Sequence, residues 1–213
     1  MAEIAESSPN FEKTSLKKYK VELVSDPDIV RRALELEQKV WDNNDYGSLD
    51  VYEKYIPQSR IFGAFNRQDE CIGVTRIFAG GPEMPPFMEL PTYRQATKEV
   101  LMNECRTGQA EELGTVAVDK SAPAIEVVLG LWRAAYRDAT SRNIKTWGII
   151  MEPPRVKIME KRYGFTFRQI GPEVVYQGGM CAAHVLDLKE VDAHMREIQP
   201  DYYDWFVDQP LDS

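Results

Sequence analysis

The stretch from Ala110 to Gly164 constrains this chain more than any other. It opens with AEELGTVAVD (Ala110–Asp119), which reads as a strand, and continues into Ala124–Ser141, where Val127, Val128, Leu131, Ala134 and Ala135 recur at helical spacing. TWGIIM (Thr146–Met151) follows, a near-continuous apolar run of the kind found in strands covered on both faces. A second helix is predicted from Pro153 to Tyr163, with proline at its start and Gly164 at its exit. A strand–helix–strand unit pairs its strands in parallel through a right-handed crossover. An α/β fold with helices on both faces of the sheet follows.

The flanking segments add antiparallel strands. Lys18 to Val24 alternates apolar with polar residues, and Ser25-Asp-Pro-Asp then caps a helix carrying Ile29, Ala33, Leu36 and Val40 on one face, ending near Trp41. DNNDYGS (Asp42–Ser48) is turn material. SRIFGAF (Ser59–Phe65) and CIGVTRIFA (Cys71–Ala79), separated by a short polar turn, form a hairpin signal. Gly80 to Pro91 holds four prolines and two glycines and reads as a loop, and Thr92 to Cys105 as a helix. Phe165–Ile170, Val174–Tyr176 and Cys181–Leu188 are strand-like, and Lys189–Ile198 is helical. The expectation is one domain over residues 18–199 with a mixed, mostly antiparallel sheet. A mobile Glu- and Ser-rich arm (1–17) precedes it, and an acidic, aromatic tail (200–213) follows; docking explains that tail's aromatics better than solvation does.

Composition narrows the function classes. A formal charge of −8 repels nucleic acid unless a local basic patch overrides it, because phosphate neutralisation dominates such binding. No apolar run approaches the roughly 20 residues of a membrane-spanning helix. Met1–Asn10 is polar and acidic with no apolar h-region, so a cytoplasmic location is expected. Cys71, Cys105 and Cys181 are odd in number, far apart and outside any CxxC spacing, which argues for reduced thiols and against a metal site. A dinucleotide fingerprint and a phosphate-binding P-loop are both missing. His184 sits among apolar neighbours, and a Cys181–His184 nucleophile pair would lack an orienting acid nearby.

The ordered set Asp50-Val-Tyr-Glu53, Gly73-Val-Thr-Arg76-Ile77 and Glu111-Glu112-Leu-Gly-Thr-Val-Ala-Val-Asp119 resembles the core of acyl-homoserine-lactone synthases. The run MEPPRVKIMEKRYGFTFRQIGPEVVYQGG resembles the N-acyl amino acid synthases of the same acetyltransferase-like acyl-CoA N-acyltransferase superfamily. The resemblance spans roughly residues 18–188. It implies an acetyltransferase-like fold whose fourth and fifth strands splay apart to hold the pantetheine arm of an acyl thioester. The donor, an acyl-phosphopantetheine thioester on acyl carrier protein or coenzyme A, is then a co-substrate and not a resident cofactor. The partner is a small-molecule amine such as an amino acid or homoserine-lactone precursor.

Residue by residue, Glu112 matches the strand glutamate proposed as the base in lactone synthases. The role also suits its chemistry, because thioester aminolysis needs a neutral amine and a carboxylate in a partly buried setting can take the proton. Arg76, mid-strand in VTRIF, requires an acidic partner, for which Asp50 or Glu53 is the natural candidate, and the resemblance places this set and Trp41 on the acceptor side. Backbone around Gly114, Thr115, Val116 and Val118 would polarise the thioester carbonyl. Two departures matter: Glu37 and Thr115 stand where lactone synthases have arginines, so S-adenosylmethionine is not implied as acceptor. In addition, Tyr176-Gln177-Gly178 replaces a Tyr-His-Gly of the N-acyl amino acid synthases.

The turn Asp119-Lys-Ser-Ala-Pro-Ala-Ile-Glu has no glycine, and Pro123 removes a backbone donor, which leaves a coenzyme A pyrophosphate poorly cradled. Arg155, Lys157, Lys161 and Arg162 put four cations into eight residues of an anionic chain, and Lys120 lies in a segment that could approach them. These five are the candidate docking patch for an acidic carrier protein. An acetyl-coenzyme A N-acetyltransferase and a non-catalytic acyl- or amine-binding module remain the alternatives.

Overall fold

A computed structural model of the chain describes residues 19–44, 46–81 and 83–209. The predicted arm over 1–17 and the last four residues of the tail lie outside the described residues. The strands are β1 (Lys20–Val24), β2 (Ser59–Phe65), β3 (Cys71–Ala79), β4 (Ala110–Val118), β5 (Thr146–Met151), β6 (Arg168–Gln169), β7 (Val174–Tyr176) and β8 (Gly179–Asp187). They form one sheet in the order β1-β2-β3-β4-β5-β8-β6, with β7 paired to β8. Every pairing is antiparallel except β4 with β5. This is the mixed, mostly antiparallel α/β architecture expected from the sequence.

The helices are α1 (Pro27–Asn43), α2 (Gln95–Arg106), α3 (Ala124–Ser141), α4 (Pro153–Tyr163), α5 (Leu188–Ile198) and α6 (Pro200–Tyr203). The Asp26 side chain caps α1 by accepting from the N–H groups of Asp28 and Ile29, with Pro27 at the first helical position. Gly164 closes α4 in the left-handed conformation at φ 72°, where a Cβ would be strained. On one face of the sheet α3, α4 and α5 share a large core built around Leu131, Trp147, Met159, Phe165 and Val191. On the other, α1 packs over Ile61, Val74 and Ala117, and α2 over Phe87, Ala110 and Val185. Helices therefore cover both faces.

Three segments differ from the expected elements. Leu49–Gln58, expected as no regular element, is a 3₁₀ helix with Ser48 capping its start, and a short 3₁₀ turn (Pro86–Met88) lies within the proline-rich loop. That loop is not a surface excursion, since Phe87 and Met88 are fully buried. The strand expected over Phe165–Ile170 shrinks to the two residues of β6, because Phe165 turns into the core while only Arg168 and Gln169 reach β8.

Beyond α5 the chain packs back onto the body. Tyr202, Tyr203, Trp205 and Phe206 are buried in the α3–α5 core, and the carbonyl of Gln209 accepts from the guanidinium groups of Arg133 and Arg137 on α3. Phe206 contacts Tyr136, Phe165 and Tyr202, so Phe206→Ala should cost about 3–5 kcal/mol, read as a lower urea midpoint at unchanged slope.

Candidate active site

The parallel pair at the centre of the sheet is only three residues long: Ala110, Glu111 and Glu112 of β4 face Thr146, Trp147 and Gly148 of β5. Past that point β4 continues to Val118 and β5 to Met151 without pairing to one another. Two causes combine. On the β3 side, Thr75 pairs with Val116 and Ile77 with Leu113, so Gly114 and Thr115 together oppose Arg76 in a bulge that bends β4. On the other side, Ile149, Ile150 and Met151 stay on β8, opposite His184, Ala183 and Ala182. The two strands part like a V with Glu112 at its fork.

Glu112 is 2% exposed, and its carboxylate accepts a 2.7 Å hydrogen bond from the backbone N–H of Phe87 in the loop. Burial, opposed by that hydrogen bond and reinforced by the negative charge of Glu89, raises its carboxyl to about 8. Gly148 is obligatory opposite it, because a Cβ there would overlap the Phe87 ring. Glu111, one residue earlier, faces the opposite side of the sheet. It accepts from Arg142 (2.8 Å) and from the Trp147 indole (3.0 Å), and so anchors α3 to the sheet.

Phe78 is the β3 partner of Glu112 and brings an aromatic cluster beside it. Tyr52 stacks on Phe78 with ring centroids 5.4 Å apart, Tyr55 packs against it at 5.3 Å, and Trp41 meets Tyr52 and Tyr46 edge-on. The Tyr52 hydroxyl lies 2.9 Å from that of Tyr176 at the end of β7. Both phenols are pushed up by burial, and the nearby Glu112 charge adds to the effect. Tyr55 donates to Glu89 at 2.7 Å, and Lys54 pairs with the same carboxylate at 2.9 Å.

Arg76 lies over the rings of Tyr52 and Phe78, 5.7 and 5.6 Å from their centroids. Its acidic partner is Glu37 of α1, with Nε and Nη2 each 3.0 Å from a carboxylate oxygen. The expectation that Asp50 or Glu53 pairs with it is corrected: both are exposed, on the outer side of the 3₁₀ helix. Thr115 donates its hydroxyl to Glu37 and also receives from Arg76. Burial pushes the Glu37 carboxyl up, and Arg76 and Thr115 pull it back. The two positions that depart from the lactone synthases therefore sit in one buried network with Arg76.

The structure brings Glu112, Arg76 and Trp41 into one neighbourhood and places Gly114, Thr115, Val116 and Val118 on the unpaired arm of β4. It leaves Asp50 and Glu53 outside. Tyr52, Tyr55, Tyr176, Glu89 and the Phe87 N–H are site components that the sequence reading did not name. Their signal was present for the tyrosines: Leu49, Tyr52 and Tyr55, the buried residues of this segment, recur every third residue, which is the 3₁₀ period. Lys120, Arg155, Lys157, Lys161 and Arg162 are all exposed, Lys120 just after β4, Arg155 and Lys157 in the first turns of α4 after β5, and Lys161 and Arg162 in its last turn. At about 3.6 residues per turn, however, they do not share one side of α4. Arg155 and Arg162 flank one edge, with Arg155 paired to Glu152 at 2.8 Å, and Lys157 and Lys161 lie on another. Cys181 and His184, three apart on one strand, point to opposite faces. Among the described residues no group of three His, Cys, Asp or Glu side chains is placed to hold a metal ion, and no helix is long and apolar enough to cross a membrane.

No family model matches the sequence, and no curated protein does. Solved structures do match the fold, among them an N-acyl amino acid synthase and acyl-homoserine lactone synthases. FeeM, an N-acyl amino acid synthase from uncultured soil microbes, superposes with a TM-score of 0.69 at 17% identity, over 83% of this chain and 94% of that one. BjaI, a coenzyme A-dependent acyl-homoserine lactone synthase solved with SAM and isopentyl-CoA, gives 0.63 at 12% identity, over 84% and 88%. The acyl-homoserine lactone synthase LasI gives 0.58 at 15%, over 80% and 90%. The fold thus agrees with the one that the sequence resemblance implies.

The buried Glu37–Arg76 pair yields a stability prediction. Arg76→Met alone strands a buried carboxylate and should cost about 3–5 kcal/mol. The Glu37→Leu/Arg76→Met double variant should regain most of that loss in a chemical-denaturation cycle.

Proposed function

We propose that this chain is an N-acyltransferase that moves an acyl group from a phosphopantetheine thioester to a small-molecule amine. The observation that carries the reading is Glu112: a buried carboxyl with no cation for a partner, at the fork of two parting strands, where a thioester threaded between them would end. The arm of β4 beyond Glu112 has backbone amide groups that no strand of the sheet takes up on the β5 side. These can receive the amides of a pantetheine chain, and an N–H of the bulge at Gly114–Thr115 is the proposed donor to the thioester carbonyl.

The chemistry balances without a covalent enzyme intermediate. The amine enters as an ammonium ion and gives one proton to the Glu112 carboxylate. Its nitrogen attacks the thioester carbon, the C–N bond forms and the C–S bond breaks, and the second nitrogen proton leaves with the thiolate as thiol. A free amine has a pKa of about 8 at an α-position and about 10 on an alkyl chain, at or above the value of about 8 at Glu112, so the transfer is level to modestly uphill and within reach of a general base.

Carrier protein is the proposed donor form. The β4–α3 turn is occupied by Asp119, whose carboxylate accepts from the Ser121 N–H and hydroxyl and is held down at about 2 by those bonds and by Lys39. That anion stands where a pyrophosphate would need donors. The exposed Lys157 and Lys161 on one side of α4, with Lys120 in the β4–α3 turn, are the cations proposed to meet an acidic carrier. A reaction drawing on such donors belongs in the cytoplasm.

Glu112→Gln should lower kcat/KM by about 10²–10⁴ while acyl donor still binds, as followed by product mass spectrometry. The wild-type kcat/KM should rise with pH up to about 8, because the carboxyl must lose its proton to act as base, and fall again above the pKa of the amine, which enters as its ammonium form; a pH-independent rate would remove Glu112 from that role. In the triple variant Lys120→Glu/Lys157→Glu/Lys161→Glu, KM for acyl carrier protein should rise at least about tenfold at low salt and little at high salt, with acyl-coenzyme A unaffected. A response that ignores salt would exclude electrostatic docking.

A further inference from the structure

Each cation around the aromatic cluster already has its own carboxylate. Arg76 is held by Glu37, with side chains 3% and 2% exposed, so this charge is spent inside the protein. Lys54 is paired with Glu89, whose other contact is the Tyr55 hydroxyl. Arg155, which also bonds the Tyr46 hydroxyl, is paired with Glu152. Against these three cations stand four carboxylates, and the one left over is Glu112, which has a backbone N–H for a partner and no cation. Around it are the rings of Trp41, Tyr52, Tyr55, Phe78 and Tyr176. A buried carboxyl beside electron-rich ring faces complements a cation. Among the described residues every guanidinium or ammonium of this cluster already has a carboxylate, so a carboxylate on the acceptor would meet Glu112 and Glu89 and would have to displace a partner to gain a cation.

We infer that the acceptor is a primary amine without a carboxylate, an alkyl or arylalkyl ammonium ion, and that Glu37 sets this preference by neutralising Arg76. The inference rests on the acyl-transfer reading for its site. Binding of the ammonium group would also stabilise the ionised form of Glu112, so that the acceptor itself prepares the base.

Matched probes that differ only in the carboxylate test it: 2-phenylethylamine against phenylalanine, and 1,4-diaminobutane against ornithine. Calorimetry on the wild-type protein without donor should show one amine of the two binding at least about tenfold tighter than its amino acid. Equal or tighter binding of both amino acids, or no measurable binding of either amine, overturns the inference. Turnover of the bound amine with decanoyl-coenzyme A and with decanoyl carrier protein is scored separately. An amine that binds with the expected preference but is never acylated condemns the acyl-transfer reading and leaves the charge preference standing. In Glu37→Gln, checked for folding by circular dichroism, the freed Arg76 should narrow the preference at least about fivefold through tighter amino acid binding. An unchanged preference in the folded variant removes Glu37 from the role given to it.

Discussion

The parting of β4 from β5 is the constraint on which the rest of the molecule depends. Three residue pairs hold the two strands together, and the fourth would need β4 to run straight where the bulge opposite Arg76 bends it. Had the ladder continued, the backbone groups from Leu113 to Val118 would be satisfied within the sheet and Glu112 would sit in a continuous surface. Because it stops, a buried carboxyl lies where the two strands part, and the backbone of β4 beyond it takes no ladder partner from β5. Burial there is also what raises Glu112 toward the range of an amine, so that position and protonation have one origin.

The second organising feature is how charge is spent on the α1 face of the sheet. An arginine in the middle of a strand can be buried only with a carboxylate close by, and here α1 supplies it from Glu37 with help from Thr115. That choice joins the first helix to the central strands and at the same time removes a positive charge from the neighbourhood of Glu112. The same two positions that separate this sequence from the lactone synthases are the ones that do so. A departure read singly looked like the loss of a contact; in three dimensions it is a different charge arrangement.

The site was partly legible beforehand. Glu112 and Arg76 stood out because ionisable residues in apolar strand sequence need a reason, and Trp41 because of its place at the end of α1. The partner of Arg76 was not legible, since Asp50 and Glu53 were nearer to the recognised pattern and Glu37 lay in a helix with an ordinary amphipathic period. Asp50 and Glu53 flank the residue that matters, Tyr52, which a 3₁₀ period turns inward together with Leu49 and Tyr55. The proline-rich loop gave no hint that Phe87 would be buried against Gly148 or that its N–H would bond Glu112, because loop composition carries no information about what a loop packs on.

The sequence by itself did not determine the 3₁₀ helix over Leu49–Gln58. It did determine the order of the long strands and helices, the amphipathic faces of α1 and α3, the parallel central pair and the residue chemistry at its core. Those are consequences of periods of 2 and 3.6 and of short-range capping, which act within a few residues of the chain. Tertiary structure alone decided how far the central pair zips, which carboxylate neutralises Arg76, and that Glu111 anchors a helix while burial raises the Glu112 carboxyl. Each of these depends on contacts between residues far apart in sequence, where burial and pairing set the energy of a charge and no local pattern records the partner.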